Sequence, residues 1–238
     1  FIFLDQGKLY INDQGNQRLS VYDIKKKEFQ IYPDLRRLFS FVVNDDKIYS
    51  YTLIPPIDTD DIEDLPLLKV TSTNGEMERS FGNHLHFLDN MVPHASMNKL
   101  ALYNQKLYAL FLSYPIVNLY DLGGDLEKSL DLSFQYEEIA ENNYQQEIFA
   151  NRGQGLKTIF TAFRVNENGI FINIRDEDLI IDQFDHEGNF LNRYKETKRD
   201  SDFYVKDIEV IQSDNGELKF YILNVEDGIP KVTVYQAS

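Results

Sequence analysis

Three stretches carry side chains whose types and spacing bear on chemistry. The first, Pro55-Pro56-Ile57-Asp58-Thr59-Asp60-Asp61-Ile62-Glu63-Asp64, gathers four aspartates and a glutamate around Asp60. Carboxylate oxygens are the ligands that a hard cation such as calcium selects. An EF-hand loop also needs a glycine at its sixth position, which is missing here, so a calcium site stands beside a plain solvated acidic loop. The second stretch is His84-x-His86, with His94 beyond it. Imidazoles on alternate residues of an extended segment project to one side and could hold zinc. No cysteine or His-Glu-x-x-His helix accompanies them, and histidines that donate hydrogen bonds from a loop or a channel wall fit equally. The third, residues 133–157, carries Phe134, Tyr136, Glu137, Glu138, Tyr144, Arg152 and Gly153. Aromatic faces beside carboxylates and an arginine are what glycan or peptide recognition uses, and they also describe an ordinary packed loop.

The basic clusters are Lys25-Lys26-Lys27 and Arg36-Arg37. Three lysines in a turn between strands read as a solvated hairpin tip. Arg36 and Arg37 fall in a connection between strand groups. With Asp60, His86, His94, Tyr136 and Arg152 they make up the candidate binding residues.

No Gly-x-Ser-x-Gly elbow, phosphate-cradling glycine loop or cysteine nucleophile is present in the sequence. Asn44, Asp45, Asn83 and Asp207 are of the type that holds a central cation in calcium-dependent lactonases of propeller fold. Calcium is the one cofactor these residues invite.

The elements that would position them repeat. Five segments pair an apolar strand, a turn rich in Asn, Asp or Gly, and a second strand with an aromatic anchor: Tyr10, Tyr49, Tyr108, Phe171 and Tyr221. The anchors lie 39, 59, 63 and 50 residues apart, a period that marks repeat architectures. Alternation and turn chemistry place strands around each anchor, giving units at about 1–33, 38–82, 97–133, 158–196 and 206–238 of a single domain. The first four units have four strands and the fifth has three. This predicts an all-β propeller of four-stranded antiparallel blades, since a sandwich or barrel would not produce recurring groups of four. The unfilled edge of the fifth unit leads us to expect a strand from upstream of Phe1, and a six-bladed ring if further residues precede it.

One run, Lys8-Leu9-Tyr10-Ile11-Asn12-Asp13-Gln14-Gly15-Asn16-Gln17-Arg18-Leu19-Ser20-Val21-Tyr22-Asp23, resembles the NHL repeat: a strand ending in Asp, a Gly-Asn turn, an Arg, and a second strand ending in aromatic-Asp. The match covers one unit. The other four keep the strand grammar but lose the turn, so the whole chain is similar to divergent, TolB-like six-bladed propellers among bacterial surface or periplasmic lipoproteins. That resemblance implies an extracytoplasmic location, with a lipid anchor upstream of Phe1, and a binding role more than a chemical one.

Composition sets further bounds. The 238 residues are 42% hydrophobic, with 15 Tyr, 17 Phe, and no Trp or Cys. Abundant aromatics favour strands. The missing cysteines fit a reducing cytosol and also an extracytoplasmic protein with a sufficient core. A net charge of −15 repels phosphate backbones and anionic lipid, which argues against nucleic acid as a partner. No apolar run reaches the ~18 residues of a membrane helix.

In a four-stranded blade the second-to-third loops and the connections between blades emerge at one face. Residues 53–66, 82–96, 133–157 and 196–206 all belong to that class, and tight turns occupy the other face. Loops on a rigid scaffold are where binding concentrates. The expectation is a non-enzymatic binding or interaction propeller of the bacterial envelope that recognises glycan, peptide or protein on its long-loop face. The alternative is a calcium-dependent hydrolase or lactonase with its site in the central channel.

Overall fold

The protein is described by a computed structural model covering residues 2–13, 16, 18–32, 38–52, 66–73, 75–87, 90–91, 97–137, 158–176, 178–197, 204–226 and 229–236. It is an all-β propeller with almost no helix, built from five antiparallel meanders. The first sheet joins β1 (Ile2–Asp5), β2 (Lys8–Asp13), β3 (Arg18–Asp23) and β4 (Glu28–Tyr32). The second joins β5 (Leu38–Asn44), β6 (Lys47–Thr52), β7 (Leu68–Ser72) and β8 (Met77–Phe81). A short ribbon, β9 (His86–Phe87) with β10 (Asn90–Met91), precedes the third sheet of β11 (Asn98–Tyr103), β12 (Lys106–Phe111), β13 (Ile116–Asp121) and β14 (Leu126–Asp131). The fourth joins β15 (Phe160–Asn166), β16 (Gly169–Ile174), β17 (Leu179–Phe184) and β18 (Phe190–Glu196). The fifth has β19 (Tyr204–Gln212), β20 (Leu218–Glu226) and β21 (Ile229–Gln236).

The five strand groups stand where alternation and turn residues placed them. In β19 a bulge between Val205 and Asp207 absorbs a break in alternation and lets pairing with β20 continue. A single helical turn covers residues 133–137.

Turn chemistry fixes the registers. Gln6-Gly7, Asp45-Asp46 and Asn104-Gln105 each have both residues at positive φ. That is the signature of two-residue type I′ hairpins, whose twist matches that of the flanking strands. In three sheets the hairpin between third and fourth strands is clasped by an aspartate that ends the third strand or directly follows it. Asp23 Oδ1 accepts from the Lys26 amide at 2.8 Å, Asp121 Oδ1 from the Asp125 amide at 2.8 Å, and Asp185 Oδ1 from the Asn189 amide at 2.8 Å. A carboxylate there takes up amides that the turn leaves without ladder partners. The NHL-like turn has its own clasp: the Asp13 carboxylate accepts from the Asn16 side chain at 2.7 Å, the Asn16 amide at 3.2 Å and the Arg18 guanidinium at 3.2 Å. The Asn16 bonds, foremost among these contacts, hold the Asp13 carboxyl below its ordinary range.

The structure is described as two compact units, residues 1–107 with 120–127 and residues 108–119 with 128–238. Directly paired residues of neighbouring strands share a sheet face, so each sheet has a face A, carrying the aromatic anchor, and a face B, carrying the residue before it. In the first unit, Tyr10, Leu19 and Val21 on face A of the first sheet pack against Leu38, Phe41, Val43 and Ile48 of the second. In the other, Ala162, Phe171, Leu179 and Ile181 on face A of the fourth sheet pack against Val205, Ile208, Val210, Phe220 and Ile222 of the fifth. Burying each large apolar side chain contributes roughly 1.5–3 kcal/mol.

Polar bonds tie neighbouring sheets together within each unit. Asn12 Nδ2 donates to the Leu38 carbonyl, and the Leu100 amide donates to Ser40 Oγ at 2.9 Å. Asn166 Nδ2 donates to the Val210 carbonyl at 2.8 Å, and Arg164 pairs with Glu209. Burial lowers the Arg164 pKa, opposed by the Asp207 carboxylate.

Candidate functional site

A cleft of about 330 Å³ opens on face A of the first sheet, lined by Lys8, Tyr10, Asp23, Lys26, Glu28 and Tyr32, with Thr73 of the second sheet's last turn at its edge. Alternation builds it. Lys8 and Tyr10 are two apart on β2, and Glu28 and Tyr32 are four apart on β4, so all four project to one side. Tyr10 is buried at the floor, and burial raises its phenol above the ordinary value. Tyr32 is half-buried and shifted in the same direction for the same reason.

At the cleft wall, Lys8 Nζ donates to Asp46 Oδ1 at 3.0 Å, the main cause of its raised pKa. Lys26 lies 3.8 Å from the Asp23 carboxylate. Beside these groups the Asp5 carboxyl is pushed up, first by burial and then by Asp45 and Asp46. Phenols, ammonium groups and carboxylates around one concavity suit a small ligand rich in hydroxyl or zwitterionic groups. The lysine tip thus has a second use: Ile24–Lys27 is exposed, as the sequence predicts, yet Lys26 also contributes to the cleft.

A second constellation sits where the long connection 138–157 begins. Asp182, in the middle of β17, is fully buried. Its Oδ1 accepts from Arg193 Nε at 2.7 Å, and its Oδ2 accepts from Arg193 Nη2 at 2.8 Å and from the Tyr136 hydroxyl at 2.8 Å. Asp182 and Arg193 face one another in the β17–β18 register. Burial, followed by the Asp182 charge, raises the Tyr136 pKa strongly. The Tyr136 ring stands edge-on to Phe160 at 5.0 Å between centroids.

The expected stacking role of Tyr136 is therefore corrected. The ring is 3% exposed and its hydroxyl is committed to Asp182, so it anchors the root of the connection and presents no face to a ligand. Of its neighbours, Phe134 is exposed and lies edge-on to Phe184. His86 is placed in β9, opposite Met91, and His84 is buried. Arg36, Arg37, Asp60, His94 and Arg152 lie outside the described residues, as do the acidic stretch 55–64 and Tyr144. Asn44 donates to Asp45 Oδ2 at 3.2 Å, and Asp45 accepts from Gln6 Nε2 at 3.1 Å at the hairpin end of the first unit. Asn83 is exposed in that unit, and Asp207 belongs to the other, where its carboxylate accepts from the Ile208 amide. Among the described residues no group of three or more His, Asp or Glu side chains is placed to hold a metal ion. Nor is any helix among them long and apolar enough to cross a membrane.

Sequence reasoning missed both the cleft and the buried triad. Each left a signal. Lys8, Tyr10, Asp23 and Glu28 fall on one face once the hairpin registers are written out, and an aspartate inside Leu179-Ile180-Ile181-Asp182-Gln183-Phe184 demands a cationic partner.

No known protein family and no curated protein matches the sequence. Solved structures do match in fold. A protein of unknown function from Bacteroides caccae superposes with a TM-score of 0.52 at 10% identity, over 97% of this chain and 72% of its own. A catalytically inactive virginiamycin B lyase from Staphylococcus aureus, crystallised with quinupristin, superposes with a TM-score of 0.50 at 10% identity, over 98% of this chain and 68% of its own. At such identity the likeness is one of fold.

Proposed function

We propose that the chain is a non-enzymatic binding propeller that engages a glycan, peptide or protein through its long connections. The observation that carries this reading is the asymmetry of chain length at the two ends of the strands. The hairpins 6–7, 24–27, 45–46, 73–76, 104–105, 122–125, 167–168, 185–189 and 213–217 are all tight. The extra chain, 53–67, 82–97, 132–159 and 197–203, always leaves from the opposite strand ends. A core held this closely can present irregular loops without spending its own registers on them. The candidate residues Asp60, His86, His94 and Arg152 all fall in those connections, and Arg36 and Arg37 lie in a shorter one of the same class. The cleft beside Tyr10 and Tyr32 offers a second, smaller polar contact surface.

The resemblance to NHL and TolB-like repeats supports an extracytoplasmic setting in a bacterial envelope, in keeping with a net charge of −15 that disfavours nucleic acid. The test is a thermal-shift screen against glycan and peptide panels. It would be repeated on a chain in which residues 138–157 are replaced by a short Gly-Ser linker. We expect a shift with the intact chain that the linker variant loses. No shift across both panels, together with calcium-dependent turnover of a lactone panel, would replace the binding reading with the hydrolytic one.

A further inference from the structure

The cleft on face A of the first sheet has a counterpart on the second sheet, and there the space is filled. Register makes the two comparable. In the first sheet Tyr10 is paired with Val21, and Val21 with Gln30. In the second, Tyr49 is paired with Val70, and Val70 with Arg79. Arg79 therefore holds on β8 the position that Gln30 holds on β4. The hairpins that the two rows meet are built alike as well. The Ser72 amide donates to the Glu76 carbonyl at 2.9 Å and the Gly75 amide to the Ser72 carbonyl at 3.0 Å; the Asp121 amide donates to the Asp125 carbonyl at 3.0 Å and the Gly124 amide to the Asp121 carbonyl at 3.1 Å. Thr73 and Leu122 thus occupy the same turn position, and all of these residues belong to the first compact unit.

In the second row, Arg79 Nη2 donates to the Leu122 carbonyl, and the Tyr49 hydroxyl donates to the same oxygen at 3.4 Å. A guanidinium of the chain's own closes the gap. In the first row the shorter Gln30 is exposed, and neither its side chain nor the Tyr10 hydroxyl has a hydrogen-bond partner among the described residues. A volume of about 330 Å³ stays open beside Thr73.

The charges around that opening favour a cation. Lys8 is paired with Asp46, and Lys26 with Asp23. Glu28 shares a row with Lys8 and Asp23, yet it has no ion-pair partner among the described residues. The Asp5 carboxyl, raised first by burial, is raised further by Asp45 and Asp46. Five carboxylates thus stand around two ammonium groups.

We propose that the cleft is a guanidinium site. It takes an arginine side chain, free or within a peptide, in the place that Arg79 fills in the next sheet. The acceptors are the Thr73 carbonyl and the Tyr10 and Tyr32 hydroxyls, with Glu28 as counter-ion. A planar fork with five donors matches several acceptors held at fixed angles, which a compact ammonium does not. The volume lies at the small end of ligand pockets and suits one side chain better than a sugar chain. The site uses none of the long connections, so the inference does not rest on the binding role proposed for them.

The test is an NMR titration of the 238-residue chain with four probes: Nα-acetylarginine methylamide, its citrulline and lysine counterparts, and the peptide Gly-Gly-Arg-Gly-Gly. Both arginine probes should shift the amides of residues 8–10, 21–32 and 73. Citrulline has the same shape without the charge and should bind at least about tenfold more weakly. Lysine should also bind more weakly than arginine. Tighter binding of the peptide than of the single residue supports the site with a protein segment as the source of the arginine. Equal binding supports it with a small guanidino compound as the source. Gln30→Arg, at an exposed position, supplies an internal guanidinium as Arg79 does and should abolish binding. Glu28→Gln, also exposed, should weaken it about two- to fivefold. The proposal is overturned if arginine and citrulline bind equally, if neither shifts these amides, or if folded Gln30→Arg binds arginine as the parent does. Unchanged affinity in Glu28→Gln would overturn it independently of how Gln30→Arg folds.

Discussion

Removing Arg193 tests the account of the buried triad most directly. Arg193→Met keeps the length of the side chain and its packing on β18 but deletes both guanidinium bonds to Asp182, at 2.7 and 2.8 Å. Asp182 is fully buried, so its charge would be left with the Tyr136 hydroxyl alone. Breaking a buried ion pair from one side costs about 3–5 kcal/mol. The Arg193 side chain is 39% exposed, and solvent screens part of that interaction. We therefore expect a loss of about 2–3 kcal/mol. With a urea m-value of about 2–3 kcal/mol/M for a chain of this size, the midpoint should fall by about 1 M at unchanged m. Arg193→Lys, which keeps the charge but not the fork, should fall between the variant and the parent. Tyr136→Phe removes one bond to the same carboxylate and should cost about 1.5–3 kcal/mol. Because the three groups share one site, the double variant should depart from additivity by about 0.5 kcal/mol or more. An Arg193→Met midpoint within about 0.2 M of the parent would refute the reasoning, since that is within the error of such extrapolations.

Two further predictions follow from burial and backbone geometry. Burial pushes the Tyr51 phenol up to about 12, so the folded state holds that proton more tightly than the unfolded one. This contribution to stability is intact below pH ~10 and is lost as pH rises from about 10 to 12, by about 3 kcal/mol in all. Phenolate absorbance should develop together with unfolding, and a phenol that titrates near 10 in a folded chain would contradict it. At Gly169, φ is +121° and an added Cβ would collide with the Phe184 carbonyl oxygen. Gly169→Ala should therefore cost about 3 kcal/mol or more, seen as a lowered melting temperature; a neutral outcome would show that the β16 start is not held in this conformation.

The strand groups were legible because their signals are local. Alternation within Lys47-Ile48-Tyr49-Ser50 or Lys106-Leu107-Tyr108-Ala109, with a turn pair before each, specifies a hairpin whatever surrounds it. The role of Tyr136 was not legible, because an aromatic within Phe134-Gln135-Tyr136-Glu137-Glu138 has the composition of a binding loop. What buries it is a non-local partner, Asp182, 46 residues away. The cleft escaped notice for a related reason: its polar groups are dispersed along β2, β3 and β4 and converge only when three registers are combined.

The tight hairpins have a consequence for how such a chain can change. Because each register is closed by its own two to five turn residues, a connection on the opposite rim can grow without disturbing the ladder it leaves. Passing from a link such as 112–115 to one such as 132–159 is a sevenfold lengthening. The polymer entropy of closing it rises by only about 1.7 kcal/mol. That is less than the loss of one large buried side chain, so the rim can be rewritten for new partners at little risk to the scaffold beneath it.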